Sequence, residues 1–240
     1  MTCLNCGAPI DALKFCGACG QRTDIHAQLT MRDIGHDLAH AITHADHSIF
    51  SLIRALATRP GQVAREYTEG KRKRHFGPFA FLLIMVGLAS AIIIVSGVQW
   101  FQPYGHGKAG DLLQRHVNLV ILLQTPLLAL CCAVFFLKHR RSFAEHLVLA
   151  AYTSGFHTLF LAVVETPTFA MTSADTANPW LAAFYFGAWF AYFVFAATQF
   201  YPERRAWTAF KAAIAVLFSQ ALTVALVMAF LFLTSTLMRT

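Results

Sequence analysis

The sequence predicts an all-α membrane protein with about five transmembrane helices. Three observations carry that expectation. Hydrophobic residues make up 57% of the 240 positions and charged residues only 13%, where soluble domains average about 45–50% and about 25%. Mean hydropathy is +0.53, so too few charges exist to cover a soluble fold of this size. Apolar runs of membrane-crossing length recur from Phe76 onward, whereas residues 1–75 are polar and hold ten of the nineteen Lys and Arg. Disordered, collagenous and disulfide-rich secreted classes are excluded by the same composition.

A bilayer core about 30 Å thick takes about 20 apolar residues as a helix. Five runs qualify, at about 76–98, 117–137, 143–164, 179–200 and 209–237. Inside them only Lys211 interrupts the absence of Lys and Arg. No period-2 alternation appears, so a transmembrane barrel is not expected. No charged n-region with a short apolar h-region and cleavage site is seen at the start, so no cleavable signal is expected. The first span is expected to act as its own insertion signal.

Positively charged residues mark the cytoplasmic side. Residues 1–75, the break at Lys138, Arg140 and Arg141, and the segment with Arg204, Arg205 and Lys211 fall on one side. Lys108, Arg115 and Arg239 fall on the other. The expected topology is a multi-pass protein of the bacterial inner membrane, N-terminus cytoplasmic and C-terminus outside. The formal charge of +7 is therefore chiefly a topology signal.

The polar third opens with Cys3-Leu-Asn-Cys6-Gly7, and Cys16-Gly-Ala-Cys19-Gly20 follows. Two CxxC-Gly knuckles in tandem read as a tetrahedral four-thiolate site. Each following glycine permits the positive φ of a tight turn. Residues 1–24 are too few for a hydrophobic core, so structural zinc would be their core; iron in a rubredoxin-like site is the alternative. Disulfides or a thioredoxin-like redox pair fit a cytoplasmic segment less well. Four thiolates and one Zn²⁺ would lower the charge to about +5. Lys14 and Arg22 are the ribbon's only cations, with no aromatic–basic surface, so nucleic acid is not an expected partner. A protein partner, a homo-oligomer or docking beneath the membrane domain is.

Residues 25–75 form the second module, a cytoplasmic amphipathic helix and a basic linker. From Asp33 to Ala57 a stripe of Ile34, Leu38, Ile42, Ala45, Ile49, Leu52 and Leu56 has helical spacing. Thr30 is its candidate cap, and Arg59-Pro60-Gly61 is expected to end it. The other face carries His36, His40, His44 and His47. That spacing suits a second metal site or a pH-sensitive patch; the plainer reading is a polar face lying along the membrane. Residues 76–240 form the membrane module.

Just before the first span the chain reads Glu66-Tyr67-Thr68-Glu69-Gly70-Lys71-Arg72-Lys73-Arg74-His75-Phe76-Gly77-Pro78-Phe79. With the CxxCG pairs and Arg59-Pro60-Gly61, this resembles an uncharacterised family of bacterial membrane proteins with an N-terminal CxxCG zinc ribbon and a Tyr-x-x-Gly-Lys-Arg motif. The resemblance covers roughly the first 80 residues, and Phe76 stands where the family often has Tyr. It implies zinc and several membrane spans, and no reaction. Lys71, Arg72, Lys73 and Arg74 would meet anionic lipid headgroups, at about 1 kcal/mol each. Plain topogenic charge is the simpler role, and a site for a lipid phosphate or other anion is the sharper one.

Polar residues within the spans are the remaining candidates. His146 and His157 share a face of span three and are the candidate acid–base groups. Gln124, His157 and Gln220 could meet at mid-membrane, or serve only as interhelical hydrogen bonds. Glu145, Glu165 and His116 read as hydrated groups near the interfaces. Most of the aromatics of span four are expected to face lipid. Cys131 and Cys132 read as apolar packing. No nucleotide-binding or hydrolase motif occurs. The favoured function is partner binding or assembly, with a transporter or channel, or an enzyme acting on a phosphate-bearing lipid, as alternatives.

Overall fold

The structure, a computed structural model, describes residues 2–10, 14–23, 31, 48–98, 115–172 and 179–237. Eight α-helices carry the described chain: α1 Ser48–Thr58, α2 Pro60–Thr68, α3 Pro78–Ser96, α4 Val117–Phe135, α5 Phe143–Phe160, α6 Thr166–Thr172, α7 Pro179–Phe200 and α8 Arg205–Leu237. Five helical stretches are long and apolar enough to cross a membrane. The described residues form no strand, only two isolated antiparallel bridges in the cysteine segment.

Helix α5 is the axis of the bundle. It packs against α1, α2, α3, α4 and α7, and every residue from Ala144 to Gly155 is buried. Its sequence explains why. Ser142 caps it by accepting from the Glu145 amide at 3.3 Å, leaving no orphan donor there. Small residues then let neighbours close in: a Cβ on Gly155 would lie 2.8 Å from Phe81 Cδ1 of α3. Helix α8 packs on α4 and α7 from the other side.

Span three runs further than expected. Instead of ending at Val164, the helix passes through a π turn at Leu161–Glu165 and continues as α6 to Thr172. Apolar composition ran out near Glu165, but hydrogen bonding did not.

Arg59-Pro60-Gly61 ends α1, as expected, and also opens a second helix. Pro60 takes the first position of α2, where its fixed φ suits a helix start and no amide is lost. Arg59, just before it, leaves the helical conformation. Helix α2 then lies against α5 and α7.

The aromatics of α7 divide. Phe184, Phe186 and Phe195 are exposed, while Tyr185, Trp189 and Phe193, spaced four apart, are buried. The lipid-facing expectation fails for that second stripe because it forms the contact with α5.

Candidate metal centre and the polar end of the bundle

Both cysteine knuckles repeat one backbone pattern. Cys3 N donates to Ala8 O and Gly7 N to Cys3 O, and Cys16 N donates to Gln21 O and Gly20 N to Cys16 O, each at 2.8 Å. Gly7 and Gly20 take φ of +75° and +71°, the left-handed corner the sequence reading required. The paired turns bring Cys3, Cys6, Cys16 and Cys19 sulfurs within 4.8 Å of one another. Cys3 Sγ lies 3.6 Å from Cys19 Sγ, and Cys6 Sγ lies 3.7 Å from Cys16 Sγ. Four sulfurs about 2.3 Å from one ion would be about 3.8 Å apart. The four thiols can therefore hold a metal ion, and none of them is in a disulfide.

Proton loss from such a cluster is stepwise. The Gln21 amide, against burial and with help from Asn5, Cys6 and Cys3, lowers the Cys19 thiol to about 6. The Ala8 amide pulls Cys6 down, yet burial and the other three thiols push it to about 12.

The cysteine segment is fastened to the linker before span one. Gln21 is buried. Its Nε2 donates to Gly70 O at 2.9 Å, and its Oε1 accepts from Lys73 N at 3.2 Å. One side-chain amide thus brackets the basic turn from both ends. Gly70 has φ +96°, and a Cβ there would approach Leu4 Cδ1 to 2.8 Å. So Gly70 turns the chain and also seats the first knuckle. Lys71 and Arg72 are half-buried in this turn, and Lys73 and Arg74 are exposed.

Below the turn sits an ion-pair group. His75 Nε2 is 2.7 Å from Glu66 Oε2, with Arg74 Nη1 at 3.9 Å. Burial opposes the Glu66 charge, but the His75 hydrogen bond and the charges of His75, Arg74 and Arg59 outweigh it and hold the carboxyl below its ordinary range. Tyr67 meets Tyr152 of α5 edge-on at 5.9 Å, and Tyr152 Oη donates to Phe76 O at 2.7 Å.

Helices α1 and α2 are bolted to α7. Gln199 Oε1 accepts from Gly61 N and Gln62 N at 3.1 and 3.3 Å. Arg65 donates twice to Phe200 O, at 3.2 and 2.9 Å. Tyr192 Oη donates to Leu56 O at 3.0 Å.

At the same end, Tyr201 stacks on Phe136 with centroids 3.7 Å apart. Its hydroxyl is 2.6 Å from His146 Nδ1. Arg141 pairs with Glu145 at 3.5 Å and covers the Phe200 ring at 4.3 Å. Glu203 takes Lys211 and His139, both at 3.0 Å. Burial weighs against the Glu203 charge, but Lys211 and His139 keep its carboxyl below the ordinary range. The segments with most of the cations thus gather at one end of the bundle.

His157 meets Glu165 and Trp189: its Nε2 is 3.7 Å from Glu165 Oε1, and its ring is 5.4 Å from the Trp189 ring. Gln124 and Gln220 are half-buried on α4 and α8, and no contact brings either to His157. Glu145 and Glu165 are buried at 7% and 4% exposure, not hydrated as their positions in sequence suggested; only His116 is exposed. Cys131 and Cys132 are buried packing residues. His36, His40, His44 and His47 lie outside the described residues.

The sequence reading missed Gln21, Gln199 and the Glu66–His75 pair. A single Gln carries no pattern, and the pair was hidden among the cations around it.

One protein family, described as protein of unknown function (DUF3667), matches residues 46–89. That stretch holds α1, α2, the basic turn and the first half of α3. No curated protein and no solved structure matches the chain.

Proposed function

We propose that this is a multi-pass protein of the bacterial inner membrane, with N-terminus cytoplasmic and C-terminus outside, whose zinc ribbon serves partner binding or assembly. The Gln21 bracket across Gly70 and Lys73 is the observation that carries the reading. It makes the ribbon a fixed part of the membrane domain's polar end. With four thiolates on the ion, no coordination position is open for chemistry, so the metal is structural. A cytoplasmic ribbon keeps its thiols reduced, and borderline-soft zinc suits them. The partner is a protein or a second copy of the chain, with anionic lipids meeting Lys71, Arg72, Lys73 and Arg74.

His146 is 2% exposed and held by Tyr201, which weighs against it as the acid–base group of a lipid enzyme. The test uses the full chain extracted in mild detergent. One zinc per chain is expected, with a larger assembly that dissociates when Gln21→Leu frees the ribbon. A metal-free chain that assembles normally, or solute uptake by proteoliposomes, would overturn the reading.

A further inference from the structure

A second polar site lies far from the ribbon, within span three, and its chemistry goes beyond the function proposed above. His157 and Glu165 are eight residues apart. In a regular α-helix that places them about 80° apart around the axis. The π turn at Leu161–Glu165 adds about one residue to the winding, which turns Glu165 back by about 100° and onto the His157 face. Such turns recur at functional sites. Here the result is a 3.7 Å approach of Nε2 to Oε1.

The pair is buried at its Glu165 end. Glu165 is 4% exposed, and its Oε1 is buried without a hydrogen-bond partner. Trp189 Nε1 is likewise buried without an acceptor, with its ring against His157. Val98, Phe169 and Tyr185 form an apolar cluster with Phe160 beside the pair. The His157 side chain, 30% exposed, is the open end. Helices α3 and α6 pack on the π turn and carry no ionisable side chain. On α5 the other such groups are Glu145, His146 and Tyr152, the first two about three turns away, and α7 offers only Tyr185 and Tyr192. Helix α4, also packed on α5, carries Cys131 and Cys132 and is preceded by the exposed Arg115 and His116; no Lys or Arg lies on α3, α4, α5, α6, α7 or the π turn.

A lone ion here would be very costly, so the imidazole and the carboxyl are each other's natural partner. At 3.7 Å the gap is long for a direct hydrogen bond and suits a bridging water. Such a water needs two to four polar partners; Glu165 Oε1 and His157 Nε2 supply two, and Trp189, its ring 5.4 Å from that of His157, carries a buried Nε1 without an acceptor close by. We propose that His157, Glu165 and Trp189 form a proton-exchange site inside the membrane domain, in which carboxyl and imidazole pass one proton through a bound water. In transfer the Glu165 O–H bond breaks and a His157 Nε2–H bond forms, the water gaining one proton as it gives up another. No electron pair leaves and the net charge is unchanged.

The test is labelling of the full chain, in detergent and in vesicles, with dicyclohexylcarbodiimide, an apolar reagent that modifies carboxyl groups holding a proton. Peptide mass spectrometry reads the modified residue across a pH series. Glu165 is expected to label, while Glu203, held by Lys211 and His139, does not. His157→Gln should move the pH profile of labelling, and Trp189→Phe, which keeps the ring but removes the N–H, should change its rate at least several-fold. Glu165→Gln, which tolerates the fold's loss of charge, should abolish the adduct while leaving the melting profile cooperative. The proposal fails if Glu165 stays unlabelled, or if both His157→Gln and Trp189→Phe leave profile and rate unchanged. Protection by sodium at fixed pH would identify a metal-cation site and overturn it as well.

Discussion

Gly61 gives the sharpest test of how α1 and α2 are joined to the bundle of long apolar helices. A Cβ at this position would lie 1.9 Å from Ala196 O, 2.7 Å from Gln199 Cβ and 2.8 Å from Phe200 N. Two of these neighbours are backbone atoms of α7 and cannot swing aside. In Gly61→Ala, helices α2 and α7 must therefore part by about 1 Å in an interior packed near crystal density. Overpacking of this kind costs about 1–3 kcal/mol. The separation also stretches the bonds from Gly61 N and Gln62 N to Gln199, and from Arg65 to Phe200 O. Each such bond contributes about 0.5–1.5 kcal/mol, so a total near 3 kcal/mol is reasonable. For a chain of this size that lowers Tm by about 6–12 °C. Tryptophan fluorescence of the purified protein during heating reads the shift. Gly87→Ala is the control, because a Cβ at Gly87 meets nothing within 4 Å. It should leave Tm unchanged or slightly higher. A Gly61→Ala protein melting within about 1 °C of the parent would refute the close approach of α2 and α7.

Three further outcomes follow from the same geometry. Gln21→Leu should expose the Lys73 amide to rapid hydrogen–deuterium exchange without loss of the ribbon's metal, whereas Cys16→Ser should lose both the metal and the protection. Tyr201→Phe should destabilise the bundle by about 1–3 kcal/mol, because it strands a buried nitrogen of His146, and thermal melting measures it. Glu66 has a lowered carboxyl range in the folded chain; its stabilising contribution is therefore present above its ordinary value of 4.5 and is lost as pH falls through the folded value. Glu66→Gln should accordingly flatten the stability profile at the acidic end and leave the neutral-to-basic side parallel to the parent.

Composition made the fold class legible because twenty apolar residues in a row have few other uses. The knuckles were legible because each pairs two thiols with a glycine, and Gly7 and Gly20 both adopt the positive φ those turns need. What stayed hidden was long-range. Gln21 is 49 residues from Gly70, and Gln199 is 138 residues from Gly61, so no local spacing could join them. Arg59-Pro60-Gly61 reads as a stop because Pro and Gly usually punctuate helices, and α1 does end there. Spacing does not show that Pro60 also starts a helix, or that Gly61 is small because α7 passes over it.

The π turn shows the deepest limit of periodic reading. Assigning residues to faces assumes about 100° per residue. One extra residue in the winding rotates everything after it, so the side chains beyond Leu161 fall on faces that a regular helix would not give them. Glu165 then changes from an interfacial carboxylate to a buried partner of His157. The same step lets the helix continue through Thr166, whose hydroxyl donates to Leu161 O at 2.9 Å, and so carries span three beyond its apolar run. Both departures from expectation in this span, its length and the burial of its last charge, therefore trace to one local change in hydrogen bonding. Deleting a single residue between Leu161 and Val164 should restore a regular α-helix and leave Glu165 seven residues from His157, only about 20° around the axis, so the pair should persist without the π turn while the ribbon end stays intact.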